Sequence, residues 1–242
     1  MSNHEIILAP ETKVTVIGDI HEHNEQFDKL IDQIQPSTKH LIVSVGDIYN
    51  KGFGRNIGDK IVDKIRTLNG YVVQGNHEQR LLRQAKKSDE KISDQLNWIG
   101  KQPFSLTFLF ANGTRLTVVH GGVKPGHTWS DLRRSTDFLY IRTLDENGEP
   151  IPLEWVNKDG QRILQASKKG RLWHNIYDGR FGYIASGHHA QLDGVPKFYG
   201  YSCNLDTACY VTGILTAQTF TEGGRAELLQ VTGPISGSDR RI

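Results

Sequence analysis

A mixed α/β fold (α+β) is what the sequence predicts, on two observations. Before about residue 105 short β-rich runs alternate with helical patterns, and after it a hairpin signature introduces antiparallel pairing. The first unit joins Lys13 to Ile17 (KVTVI) to Phe27, Leu30, Ile31 and Ile34, spaced i, i+3, i+4, i+7 on one helical face that Pro36 ends. The second runs from Leu41 to Val45 (LIVSV) into Ile57, Ile61, Val62, Ile65 and Leu68, with Gly70 as its stop. The third leads from Tyr71 to Gln74 (YVVQ) into a more polar helix over about Glu78 to Lys87. Successive units of this kind imply parallel strands with helical crossovers. LTFLF and RLTVVH then flank Ala111-Asn112-Gly113-Thr114, and Asn-Gly is the strongest short hairpin signal. Gly, Asp, Asn and Lys clusters over 123–180 predict an irregular cap or insertion. Strands are expected again at Gly182 to Ser186, Tyr210 to Phe220 and Glu227 to Val231. The expected organisation is one domain over residues 1–231, followed by a flexible tail at 232–242.

Composition narrows the function. With 242 residues, 37% hydrophobic, plus 25 glycines, the chain has the make-up of a folded domain. A net charge of +2 argues against a dedicated duplex-DNA binder, which normally carries a basic excess. No apolar run reaches the ~18 residues of a membrane span, and the first residues lack a basic stretch leading into an apolar one. No membrane partner and a cytoplasmic location are therefore expected. Cys203 and Cys209 would lie ~20 Å apart in an extended segment, beyond the ~7 Å reach of a disulfide.

Five β-rich runs end in polar clusters: Gly18-Asp19-Ile20-His21, Gly46-Asp47, Gly75-Asn76-His77-Glu78, His120-Gly121-Gly122 and Gly187-His188-His189. Ligands gather at the carboxyl ends of strands in sheets with helical crossovers, so these clusters can converge. Oxygen and imidazole donors without sulfur suit divalent Mn, Fe or Zn, with Mg less favoured. Singly, Gly-Asp and Asn-Gly are ordinary turn chemistry, and a lone histidine is more often structural than a ligand. Five in order carry the weight.

Their order and spacing resemble the calcineurin-like metallophosphoesterases of the phosphoprotein-phosphatase superfamily, from about Val14 to Ala217, including Asn204-Leu205-Asp206-Thr207 and Leu215-Thr216-Ala217. The resemblance implies a β-sandwich of mixed sheets flanked by helices, holding two divalent cations, manganese first with iron or zinc as alternatives. By motif position Asp19 and His21 would bind the first metal, Asp47 would bridge, and Asn76, His120 and His188 would bind the second. His77 matches the histidine that protonates the leaving oxygen. Lys51 takes the place of a phosphate-holding arginine, keeping the charge but losing the bidentate fork.

Departures from the pattern bear on substrate. Asn50 stands where protein phosphatases carry the aspartate that partners the acid histidine. Asn50-Lys51-Gly52, Ile141-Arg142 and Trp173 with Tyr177-Asp178-Gly179 resemble the branch of symmetrical diadenosine-tetraphosphate hydrolases. Asn175 falls where many relatives carry a second phosphate-binding arginine, which leaves Arg171, Arg180 or another residue to substitute. Glu22 replaces a glycine and adds a carboxylate near the metals. His189 follows His188, which is the preferred ligand of the two. His23 reads as a solvated loop residue, and Glu78 as a first-turn acid favoured by the helix dipole. Lys86-Lys87, Arg133-Arg134 and Lys168-Lys169-Arg171 read as solvated faces in preference to a polyphosphate or RNA track. Tyr140, Trp155 and Trp173 read as core in preference to base-stacking platforms.

The expected activity is binuclear-metal phosphoesterase chemistry on nucleoside polyphosphates such as diadenosine tetraphosphate, or on NTP-like 5′ ends. A Ser/Thr or Tyr protein phosphatase acting on phosphoproteins is the first alternative, and a non-catalytic metal- or partner-binding module the second.

Overall fold

The computed structural model describes residues 4–132, 136–158, 161–165 and 167–236. In chain order the elements are β1 (His4–Ile7), β2 (Lys13–Ile17), α1 (Asn24–Ile34), β3 (His40–Ser44), α2 (Arg55–Thr67), β4 (Tyr71–Val72), α3 (Asn76–Ser88), α4 (Asp94–Ile99), β5 (Ser105–Leu109) and β6 (Arg115–Val119). Then come α5 (Thr136–Leu139), β7 (Thr143–Leu144), β8 (Glu154–Lys158), β9 (Gln161–Gln165), β10 (Arg171–Leu172), α6 (Trp173–Ile176) and β11 (Tyr183–Ser186). The chain continues through β12 (Lys197–Phe198), β13 (Ser202–Asn204), α7 (Cys209–Thr212), β14 (Ile214–Thr221) and β15 (Gly224–Thr232). No helix among these residues is long and apolar enough to cross a membrane.

Two sheets form the frame. One has the order β15-β14-β2-β3-β4, with β2, β3 and β4 mutually parallel, as the crossover pattern requires. The other has the order β1-β5-β6-β11-β13-β12, with β6, β11 and β13 parallel. Alternation along the strands decides which residues meet between them. Val14, Val16, Val43 and Val45 of the first sheet share a buried cluster with Leu106, Phe108, Leu116, Val118 and Ala185 of the second. The opposite face of the first sheet, through Ile17, Ile42, Val72, Leu215 and Ala217, packs on Phe27, Leu30, Ile61 and Ile65 from α1 and α2. Val119 and Ile184, on the outer face of the second sheet, pack on Phe138, Ile141, Leu144, Trp173 and Tyr177. The architecture is therefore a mixed-sheet sandwich flanked by helices.

Two expectations change. The strand expected from Tyr210 begins only at Ile214, because residues 209–212 coil into α7. That turn is pinned by side chains: Asp206 Oδ1 accepts from Ala208 N–H at 2.9 Å, and Thr212 Oγ1 donates to Thr207 O at 2.7 Å. Gly213, at φ 71°, ends it in the left-handed region open to glycine. Trp173 is core, as expected, 1% exposed with Nε1–H donating to Gly121 O at 3.1 Å, whereas Tyr140, also expected in the core, is exposed, and the Trp155 side chain lies outside the described residues. Thr232 closes β15, and Gln26 Nε2 donates to Pro234 O at 2.7 Å, while residues 237–242, together with Arg133 and Arg134, lie outside the described residues. Cys203 and Cys209 are both buried and free.

Candidate metal centre

The site assembles because β2, β3, β4, β6, β11 and β13 all present their carboxyl ends at one edge of the sandwich. Asp19 and His21 follow β2, Asp47 follows β3, Asn76 opens α3 after β4, His120 follows β6, and His188 follows β11. The corners are sharp. His21, Asp47 and His188 have φ of 47°, 49° and 68°, a region that costs a side-chain-bearing residue about 1 kcal/mol or more. Such conformations persist only where surrounding structure holds them, and they mark functional sites more often than neutral ones.

Asp47 is the hub. Its carboxylate lies 3.9 Å from His21 Nε2, 3.8 Å from His77 Nε2 and 3.4 Å from His120 Nε2, and Oδ1 accepts the His77 backbone N–H at 2.9 Å. Two groups, His21–Asp47–His77 and Asp47–His120–His188, each bring one ligand atom per residue within 4.8 Å of the others. Burial alone would raise the Asp47 pKa, but the facing His120, His77 and His21 hold it well below the usual carboxylate range. Asp19 moves the opposite way, raised by burial and then by the charges of Asp206 and Asp47.

Hydrogen bonding fixes which imidazole nitrogen faces inward. Nδ1–H of His21 donates to Asn50 O at 3.0 Å and that of His120 to Val45 O at 2.9 Å, leaving each Nε2 as the basic atom. His120 Nε2 then faces Asn76 Oδ1 at 2.8 Å and Asp47 Oδ1 at 3.4 Å. Burial lowers the pKa of His21, His77, His120 and His188 alike, disfavouring their charged forms. Among the described residues His188 Nε2 is buried without a hydrogen-bond partner. Lone pairs converging in a buried space are unfavourable unless a cation lies among them, so the donor set fits divalent metal.

The structure brings Asp19, His21, Asp47, Asn76, His77, His120 and His188 together. Asn50 contributes differently from expectation: its backbone carbonyl holds His21, and among the described residues His77 Nδ1 is buried without a hydrogen-bond partner. Lys51 Nζ lies 4.2 Å from the Tyr210 ring centroid, and its charge acts on Asp206 and His188. Asn175 is exposed on α6, Arg171 is exposed, and Arg180 is engaged by Asp178 at 2.7 Å. The guanidinium that reaches the carboxylates is that of Arg142. It donates to His188 O at 3.1 Å and feels Asp206, Asp47 and Asp19.

Two acids serve the loops. Both Glu22 oxygens are taken, accepting from Asn50 N–H at 2.9 Å and Gly54 N–H at 3.1 Å, so Glu22 holds the 50–54 loop instead of facing the candidate centre. Glu78 accepts four backbone N–H groups, from Asp47, Ile48, Tyr49 and Gly75, at 2.8–3.1 Å. Burial and then Asp47 push its pKa up to about 8, against the pull of the Tyr49, Asp47 and Gly75 N–H donors. With two donors on each oxygen, the carboxylate is the form this pocket accommodates. His23 is buried instead of solvated, donating from Nδ1 to His21 O at 2.6 Å.

Gly187 shows how little room the corner has, since a Cβ there would sit 1.8 Å from Asp19 Oδ1. Gly187→Ala must displace that carboxylate, and metal affinity is expected to fall about 10–100-fold, the cost of disturbing a ligand's support. Isothermal titration of the metal-stripped variant with Mn²⁺ measures it; an unchanged affinity would contradict this reading of the corner.

Comparison with known proteins agrees with the geometry. The calcineurin-like phosphoesterase profile matches residues 12–213. The chain is 26% identical over 245 residues to the asymmetrical bis(5′-nucleosyl)-tetraphosphatase PrpE of Oceanobacillus iheyensis, covering 87% of this chain and 89% of that protein. A solved "putative diadenosine tetraphosphatase" superposes with a TM-score of 0.72 at 22% identity, over 97% of this chain and 99% of the other. A protein serine/threonine phosphatase from Saccharomyces cerevisiae shares the fold with a TM-score of 0.61 at 16% identity, over 98% and 85%. With that profile running from β2 through α7 and over every strand-end cluster, the chain belongs to the calcineurin-like phosphoesterase family and is a phosphoester hydrolase.

Proposed function

We propose that the chain is a two-metal hydrolase of nucleoside polyphosphates, with diadenosine tetraphosphate as the representative substrate. The observation that carries the metal reading is the ring of imidazole nitrogens and amide oxygen facing Asp47. Asp19, His21 and Asp47 would hold one cation, and Asp47, Asn76, His120 and His188 the other, with Mn²⁺ favoured by the nitrogen and oxygen donors and Fe or Zn as alternatives. When bound, such a pair supplies Lewis acidity to phosphoryl oxygens and a nucleophilic water at neutral pH.

The chain's own residues supply the rest. Lys51 and Arg142 bring two positive charges to the edge of the carboxylate cluster, where they neutralise phosphoryl oxygens as charge builds in the transition state. Arg142 offers the fork that Lys51 lacks, so it would serve as the second phosphate grip. His77 is positioned by its own backbone N–H on Asp47, and the negative charge of a bound phosphate offsets the burial that lowers its pKa. As imidazolium it would pass a proton to the leaving oxygen.

Support for the substrate class comes from the tetraphosphatase relatives, whose asymmetrical designation corresponds to unequal products. The expected result with Mn²⁺ and diadenosine tetraphosphate is release of ATP and AMP, at a higher kcat/KM than for any phosphopeptide offered. Two ADP would mean a symmetrical cut. A phosphopeptide preference would transfer the proposal to the protein-phosphatase reading.

A further inference from the structure

A groove of about 290 Å³ opens beside the centre, lined by Asn76, Arg80, Arg83, Gln84, Lys87 and Tyr140. Five of these residues follow one face of α3, and the first is the metal-facing Asn76. The ladder therefore starts at the reaction centre and runs outward, ~16 Å from Asn76 to Lys87 along the axis. Arg80, Arg83 and Lys87 are all exposed, and among the described residues none forms an ion pair with an acid. Several cations on neighbouring helices behave otherwise: Lys29 pairs with Glu25, Arg55 with Glu90, and Arg66 with Asp94. Helix stability does not account for the ladder either. Lys86 and Lys87 suit the C-terminal end of the dipole, but Arg80 lies in the N-terminal half, where a cation gains nothing from it. The far wall carries Tyr140, 38% exposed, with its ring edge-on to His188 at 6.1 Å. In a chain with a net charge of only +2, three unpaired cations and an exposed aromatic next to the metal-facing residues form a local anion track with a stacking platform.

We infer that this groove binds the phosphates and the nucleoside lying beyond the phosphoryl group under attack, so that the enzyme selects chains of several phosphates over phosphomonoesters. Arg80, Arg83 and Lys87 would meet successive phosphate charges, and Tyr140, beside His188, would meet the face of a base folded back along them toward the centre. The inference rests on the hydrolase reading above and adds to it the origin of substrate choice. It also makes the basic face of α3 a binding surface instead of a merely solvated one.

The test compares wild type with Arg83→Gln/Lys87→Gln, both on an exposed helix face where Gln is a good helix former. On diadenosine tetraphosphate KM is expected to rise about 10-fold with kcat little changed, because two charge-assisted contacts are lost. On p-nitrophenyl phosphate, which has no second phosphate, kcat/KM should stay within about 2-fold, since the charges act only beyond the reacting group. Tyr140→Leu should raise the KM for the dinucleotide ~5-fold or more through lost stacking. Equal losses on both substrates, or no loss on either, would overturn the inference. Calorimetric binding of inorganic tripolyphosphate separates it from the proposed function. Should wild type cleave p-nitrophenyl phosphate and leave the dinucleotide intact, the substrate proposal falls, while weaker tripolyphosphate binding by the double variant would still sustain the groove and unchanged binding would remove it.

Discussion

Asp47→Asn is expected to lower kcat/KM by about 10³-fold, equivalent to roughly 4 kcal/mol of lost transition-state stabilisation. Among the described residues the carboxylate is the one group shared by both candidate ligand clusters, and a neutral amide cannot offset the charge of two cations. The substitution also adds a donor where only an acceptor fits. If the amide oxygen keeps the His77 backbone N–H, the amide nitrogen replaces Oδ2 and faces His21 Nε2 and His77 Nε2, occupying lone pairs meant for a cation. The measurement is steady-state hydrolysis of p-nitrophenyl phosphate with saturating Mn²⁺, with circular dichroism to verify folding. A folded variant keeping about a tenth of wild-type activity or more would remove Asp47 from its central role.

Glu78→Ala should produce the largest loss of stability, on the order of 4 kcal/mol, because four backbone N–H donors would be left buried without an acceptor. Those donors belong to the turn carrying Asp47 and to the residue preceding Asn76, so the same change loosens two side chains of the candidate metal centre. Glu78→Gln keeps one acceptor oxygen and turns an amide against the remaining donors, and an intermediate loss of about half is expected. Urea unfolding of the metal-free proteins gives the order wild type, Gln, Ala. A loss below about 1 kcal/mol for the alanine variant would mean that water replaces the carboxylate without difficulty.

The parts legible in the sequence are those with local causes. β2 occupies the residues read as KVTVI, α1 ends at Ile34 just before Pro36, and Asn112-Gly113 turns the β5–β6 hairpin. Strand ends followed by Gly and a polar residue revealed Asp19, Asp47, Asn76, His120 and His188, because position after a strand is itself a local property. What escaped depends on distant partners. β1 was not anticipated, since its ladder is with β5, about a hundred residues later. Arg142 has no periodicity around it, and it reaches the carboxylates only because the segment packed on Val119 and Ile184 delivers it. The one available signal was its place in the Ile141-Arg142 segment. Glu78 gives a helix-start signal, but its partners lie in a turn about thirty residues upstream. His23 is buried because the loop bearing Phe53 covers it, with ring centroids 5.1 Å apart.

Asp19, Asp47 and Asn76 hang from the five-stranded sheet, while His120 and His188 hang from the six-stranded one. Whatever engages them all works as a rivet between the two halves of the sandwich, resisting any sliding of one against the other. Cohesion and chemistry would then rise and fall together, and a cell short of the right ion would hold a protein not only idle but also easier to pull apart.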